Sequence, residues 1–93
     1  MYLLCFDLDV SKLKEHYGKP YNKAYYDIKK LLIKLGFEWI QGSSYILNSD
    51  DMSQLLLAVM ELKKLKWFCE SVKDIRGSKM ESWSNFTTII KLN

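Results

Sequence analysis

The hydrophobic pattern of the chain switches repeatedly between a period of two and a period of three to four, and each switch predicts an element. Residues 2–8 are apolar on both alternating sets, with Tyr2, Leu4, Phe6 and Leu8 on one and Leu3 and Cys5 on the other. A strand apolar on both faces belongs in the middle of a sheet. Asp9 or Ser11 is placed to cap a short helical turn through Leu13 and Tyr17, which Gly18 and Pro20 stop. From Tyr21 the period is helical: Tyr21, Tyr25, Ile28, Leu32 and Leu35 make one stripe, with Lys23, Asp27, Lys30 and Lys34 away from it. Gly36 is placed to end that helix. Two strand-like runs, 37–40 and 45–48, flank Gln41-Gly42-Ser43-Ser44 in the manner of a hairpin. Ser49, Asp50 and Asp51 open a second helix, whose stripe is Met52, Leu55, Leu56, Val59 and Leu62 and whose end carries Lys63, Lys64 and Lys66. Residues 72–80 read as a fourth strand, and Ser84-Asn85-Phe86 opens a short helix through Ile90.

The order strand, helix, strand, strand, helix, strand predicts an α+β, ferredoxin-like βαββαβ sandwich with a short C-terminal helix, built as one domain over residues 1–93. Both long helices of such a sandwich cover the same face of the sheet. Since the first strand is apolar on its other face too, a homodimer is expected to cover that face.

Composition agrees with a packed core: 48% of the residues are hydrophobic and 14% aromatic, too apolar for a disordered segment. Three Trp and six Tyr suggest apolar surface left over for a partner. The net charge of +3 permits a phosphate-bearing ligand without requiring one. Cys5 and Cys69 stand among apolar neighbours, as small buried thiols do, and two cysteines make no disulfide framework. The expected compartment is therefore the cytoplasm. No basic leader precedes the acid at position 7, so no signal peptide is expected, and no apolar run is long enough for a membrane span.

Candidate chemistry gathers at three places. Asp7 shares strand parity with Leu3 and Cys5, on an otherwise apolar face at the strand's end, where a carboxylate is expected to be partly desolvated and suited to catalysis. It also suits a plain turn acid, and Asp9 suits a cap better still. Gln41-Gly42-Ser43-Ser44-Tyr45 gathers an amide, two hydroxyls and a phenol at a bend, groups that hold phosphate oxygens or a base edge. Gly and Ser are equally what the turn itself needs. In Val72-Lys73-Asp74-Ile75-Arg76 the strand period puts Asp74 and Arg76 on one face, as an ion pair or as a phosphodiester clamp. His16 is the only histidine, so one chain lacks a histidine-pair nuclease site. No zinc set, Gly-rich phosphate loop or dinucleotide fingerprint is present. Magnesium on Asp7, Asp9 or Asp74 remains compatible, because one or two carboxylates plus phosphate suffice for it. The helix lysines read most simply as solvated faces, with an RNA groove as the less favoured alternative.

Taken in order, Met1-Tyr2, Phe6-Asp7-Leu8, Tyr17-Gly18, Ala24-Tyr25, Leu35-Gly36-Phe37, Gln41-Gly42-Ser43-Ser44-Tyr45, Trp67-Phe68, Ser71-Val72-Lys73-Asp74-Ile75-Arg76 and Trp83-Ser84-Asn85-Phe86-Thr87 resemble the virulence-associated protein D family end to end. Phe-Asp-Leu, Leu-Gly-Phe and Gln-x-Ser-x-Tyr are more distantly similar to the small CRISPR-associated ferredoxin-fold proteins. The resemblance implies a dimeric endoribonuclease cleaving single-stranded RNA, the toxin of a toxin–antitoxin pair with a small antitoxin protein as partner. By motif it makes Asp7, Ser43 and Asp74 catalytic and puts Leu13 near the same site. Tyr45, Lys73 and Arg76 are then the expected substrate-binding residues, and Asp7 the metal ligand if magnesium is used. Gly77 stands where the family pattern has alanine, and Asn85 where it often has an acid. The rival expectation is a non-catalytic dimeric nucleic-acid-binding or assembly scaffold of the same fold, with Asp7 as a structural cap.

Overall fold

A computed structural model describes residues 1–18 and 20–92. Strand β1 (Tyr2–Leu8) is followed by α1 (Val10–His16) and α2 (Lys23–Lys34), then by the hairpin β2 (Phe37–Gln41) and β3 (Ser44–Leu47). Helices α3 (Met52–Lys63) and α4 (Lys66–Ser71) lead to β4 (Val72–Lys79), and α5 (Thr87–Lys91) comes last. The four strands form one sheet in the order β2-β3-β1-β4, every neighbouring pair antiparallel. This is the ferredoxin-like α+β arrangement, with β1 interior as its two apolar faces require.

Local chemistry explains the boundaries. Asp9 is the cap that its position suggests: its carboxylate accepts from the Lys12 amide at 3.0 Å. Asp51 caps α3 in the same way, accepting from the Ser53 amide at 2.9 Å and the Ser53 hydroxyl at 2.6 Å. Gly36 follows α2 at φ +95°, a left-handed conformation that glycine adopts without strain. Helix α4 escapes the hydrophobic pattern. It has six residues, and its N-cap Leu65 makes no side-chain hydrogen bond, so neither period nor cap marks it.

One face of the sheet carries the core. Tyr2, Leu4, Phe6 and Leu8 of β1 are buried against Ala24, Ile28 and Leu32 of α2, Leu55, Ala58 and Leu62 of α3, Leu13 of α1 and Phe68 of α4. Burial of each large side chain contributes about 1.5–3 kcal/mol. Phe6 stands at the centre of an aromatic group, stacked with Tyr45 and edge-on to Phe68. No helix among the described residues is long and apolar enough to cross a membrane.

The opposite face differs. Strand parity and cross-strand register put Leu3, Cys5 and Asp7 there with Ser44 and Ile46 of β3 and Asp74, Arg76 and Ser78 of β4. Leu3 and Cys5 are only half-buried. Ile46 is buried but stands outside the main core cluster. A crevice of about 230 Å³ runs between Ile40 and Gln41 and the segment from Trp83 to Thr87. Every described residue after Met80 is exposed, including Trp83, Phe86, Ile89 and Ile90. Of the two cysteines expected to be buried, Cys5 is half-buried and Cys69 is exposed. Cys69 falls on the solvent side of the short helix α4, which apolar neighbours in sequence do not foretell; its thiol donates to the Lys63 carbonyl at 3.1 Å.

Candidate functional site

The site is assembled where β1 ends. The β1–β4 register sets Asp7 directly opposite Asp74, and Cys5 opposite Arg76. Side chains opposite one another in an antiparallel pair stand roughly 5 Å apart at Cβ, so two carboxylates meet on the open face. Each has a cation beside it. The Arg76 Nε donates to both carboxylate oxygens of Asp74, at 3.0 and 3.2 Å, and the Lys73 Nζ lies 3.5 Å from Asp7.

Lys73 reaches Asp7 because the ladder is irregular there. Asp7 pairs with Asp74, yet Leu8 pairs with Val72, which leaves Lys73 as an extra residue on β4. Such a bulge bends the strand and re-aims a side chain. Strict alternation would have turned Lys73 toward the helices, away from Asp74. A second irregularity leaves Ile40 extra on β2, between the pairs Trp39–Tyr45 and Gln41–Ser44.

Ser43 arrives from the other side. Gly42 and Ser43 form the two-residue turn of the β2–β3 hairpin, and Gly42 has the positive φ (+48°) that such turns call for. The Ser43 carbonyl accepts the Phe6 amide at 3.2 Å, which pins the turn beside β1 one residue before Asp7. Next to it the Cys5 thiol and the Ser44 hydroxyl are hydrogen-bonded at 3.4 Å.

Asp7, Ser43, Lys73, Asp74 and Arg76 therefore share one end of the sheet, whereas Leu13 and Tyr45 do not join them. Leu13 is fully buried under α1, and Tyr45 lies on the helix-covered face of β3, stacked on Phe6. Both positions follow from period: each is the apolar member of a pattern that points into the core. Asp7 corrects a further expectation. Its side chain is 67% exposed rather than partly desolvated, while Ile46, farther along the same face, is buried.

Tyr25 packs against the core as its helical stripe predicts, and it also feels the site. Burial raises its phenol above the ordinary range, with smaller contributions from the Tyr21 phenol and the Asp7 carboxylate, so the first turns of α2 lie within electrostatic reach of Asp7. No sequence signal separates it from the rest of its stripe. His16 has its own partner away from this cluster: its Nδ1 is 2.5 Å from Glu70, which joins α1 to α4. Among the described residues no cluster of three or more His, Cys, Asp or Glu side chains is able to hold a metal. Asp7 and Asp74 are a carboxylate pair set opposite each other in the register of β1 and β4.

The fold and this polar end define a small ferredoxin-like protein with facing carboxylates, two cations and a serine turn at one end of the sheet. The family model of CRISPR associated protein Cas2 matches residues 1–88. The chain is 50% identical to Endoribonuclease VapD of Dichelobacter nodosus over 91 residues, 98% of each chain. It is 48% identical to Endoribonuclease VapD of Helicobacter pylori, covering 98% of this chain and 99% of that one, and 42% identical to Endoribonuclease VapD of Haemophilus influenzae, with the same coverage. The chain belongs to the VapD endoribonuclease family, within the wider Cas2 family.

Proposed function

We propose that the chain cuts single-stranded RNA at the Asp7–Ser43–Asp74 end of its sheet, acting as a homodimer in the cytoplasm. The observation that carries this reading is the facing of Asp7 and Asp74 with Lys73 and Arg76 interleaved, beside a hydroxyl-bearing turn. In one step Asp7 accepts the proton of a ribose 2′-hydroxyl as the 2′-oxygen attacks the adjacent phosphorus. The 5′-oxygen leaves and takes a proton from water, and a 2′,3′-cyclic phosphate remains. The Ser43 hydroxyl donates to a phosphate oxygen, and Lys73 and Arg76 offset the charge that develops there. Asp74 holds the Arg76 guanidinium in place through its two hydrogen bonds. Where a magnesium ion binds, Asp7 and Asp74 are the residues to hold it, and it supplies further charge neutralisation.

Unpaired RNA suits the site, because an open sheet end admits a splayed strand, whereas the grooves of a duplex keep its bases stacked. The half-buried Leu3 and Cys5 and the exposed Trp83, Phe86, Ile89 and Ile90 support a second copy as the cover of the open face. The Cα radius of gyration, 14.4 Å, exceeds the value of about 12 Å for a compact chain of this length. Sedimentation showing only monomer at micromolar concentration would remove the dimer from this reading. A toxin role with a small antitoxin protein rests on family resemblance, and rescue of growth by a co-expressed neighbouring reading frame tests it.

One specific observation favours the scaffold alternative: both carboxylates already have cations and are exposed, as surface ion pairs are. Labelled RNA incubated with wild type, Asp7→Asn and Ser43→Ala, with and without chelator, separates the two. Cleavage lost in Asp7→Asn while fold and dimer persist supports the enzyme. Equal cleavage by all three proteins points to a contaminating nuclease and sinks the site. A cyclic phosphate product that persists in chelator rules out an obligatory magnesium step.

A further inference from the structure

The outer face of α2 carries a charge pattern that the fold does not use. Lys23, Lys29, Lys30 and Lys34 are its cations, and none has an acidic partner among the described residues. The helix has a single acid, Asp27, and the Tyr17 hydroxyl occupies it at 2.6 Å. Lysines elsewhere are treated differently: Lys64 pairs with Glu61 in and beside α3, and Lys66 with Glu70 in α4. Lys30 and Lys34 are like charges four apart, an arrangement that weakens an isolated helix. A row that opposes its own helix points to an anion outside the protein.

Aromatic rings are interleaved with that row. The Lys29 Nζ lies 4.0 Å from the centroid of Trp39, and the Lys30 Nζ lies 5.4 Å from that of Tyr26. Tyr26 is 57% exposed and Trp39 44%, so both keep surface free beyond their lysines. The patch is also tied to the candidate site. The indole Nε1 of Trp39 donates to the Gly42 carbonyl at 2.9 Å, and the next residue, Ser43, accepts from the Phe6 amide beside Asp7. Cations at phosphate-binding reach with exposed rings between them are what a single strand requires, its phosphates meeting lysines and its bases stacking on the rings.

We infer that the α2 face and Trp39 form a track for the single-stranded RNA that flanks the bond to be cut, with a base stacked on Trp39 and phosphates on Lys29, Lys30 and Lys34. This deepens the endoribonuclease reading and rests on it for the identity of the strand. The track sets affinity for the flanking strand, while the Asp7 end performs the chemistry.

The test uses Asp7→Asn full-length protein, so that RNA is retained, and a fluorescein-labelled oligouridine read by anisotropy. Trp39→Ala in that background weakens binding about ten-fold, as loss of one stacked base does. Trp39→Phe, which keeps a ring, stays within roughly three-fold of the parent, a difference of about 0.7 kcal/mol. Lys29→Gln with Lys30→Gln, which leaves the hairpin hydrogen bond intact, lowers the salt slope by about 1.4, near 0.7 for each phosphate that a lysine no longer neutralises. Unchanged affinity in Trp39→Ala together with an unchanged slope in the double lysine variant overturns the track, as does an absence of oligouridine binding by the parent at low salt. Equal binding of a duplex of the same length overturns the stacking role. If wild type does not cleave RNA but track-dependent binding is present, the catalytic reading fails and the track stands. If cleavage requires Asp7 but binding ignores Trp39 and the lysines, the reverse holds.

Discussion

Replacing Lys73 with Gln isolates what the β4 bulge does. The perturbation removes the cation 3.5 Å from Asp7 and keeps the length and polarity of the side chain. Two unit charges at that separation attract by about 1.2 kcal/mol in water and about 5 kcal/mol at an effective dielectric of 20. Both side chains are more than half exposed, 56% and 67%, so the solvated limit applies and the entropy of holding a long lysine offsets part of it. The expected loss of stability is therefore about 0.2–1 kcal/mol, a fall in Tm of no more than about 8 °C for a chain this size. Charge developing on a phosphate in the transition state is another matter, since a positioned donor there is worth about a hundred-fold or more in rate. Single-turnover cleavage and thermal unfolding on the same preparations separate the two effects, and Lys73→Arg restores most of the rate. An unchanged cleavage rate in Lys73→Gln would refute the reasoning and leave an ordinary surface ion pair. A larger collapse in Tm would show that the bulge depends on Lys73 for its shape.

Leu13→Ala lowers stability by about 2–5 kcal/mol, because the side chain is fully buried; urea unfolding reads this, and any loss of cleavage should track the unfolded fraction rather than substrate affinity. Gly77→Ala adds a Cβ 3.0 Å from the Leu55 Cδ2, and Leu55 borders an apolar hollow of about 260 Å³ into which it is free to shift. The expected result is a gain of roughly 0.5 kcal/mol from the stiffer backbone, and a loss above about 1 kcal/mol would mean that Leu55 cannot yield. Asp50 and Asp51 respond to acid. The chain's N-terminal amine holds Asp50 below the ordinary carboxylate range, and the Ser53 hydroxyl and amide hold Asp51 there. Because the folded values are depressed, the stability they contribute is present above about pH 4 and is lost as pH falls through the folded values. Melts across the acid range should be flatter in Asp51→Ala, and an identical acid limb would count against this linkage.

Much of this was legible in the residues because it is local. The alternation of residues 2–8 put β1 inside a sheet, Asp9 and Asp51 marked helix starts, Gly36 a helix end, and the order of elements named the sandwich. The motifs also brought forward Asp7, Ser43, Asp74 and Arg76, which the sheet gathers at one end. Other features depend on how distant segments meet. Helix α4 has neither a full stripe nor a side-chain cap, so pattern passes over it. The bulge that turns Lys73 to Asp7 exists only in the pairing of β1 with β4, which no local period encodes. Leu13 and Tyr45, motif neighbours of the site, are core residues because their apolar stripes face the helix–sheet interface. The exposure of Asp7 has the same origin: a sequence records that a strand face is apolar, but only the assembled sheet decides whether anything lies upon it.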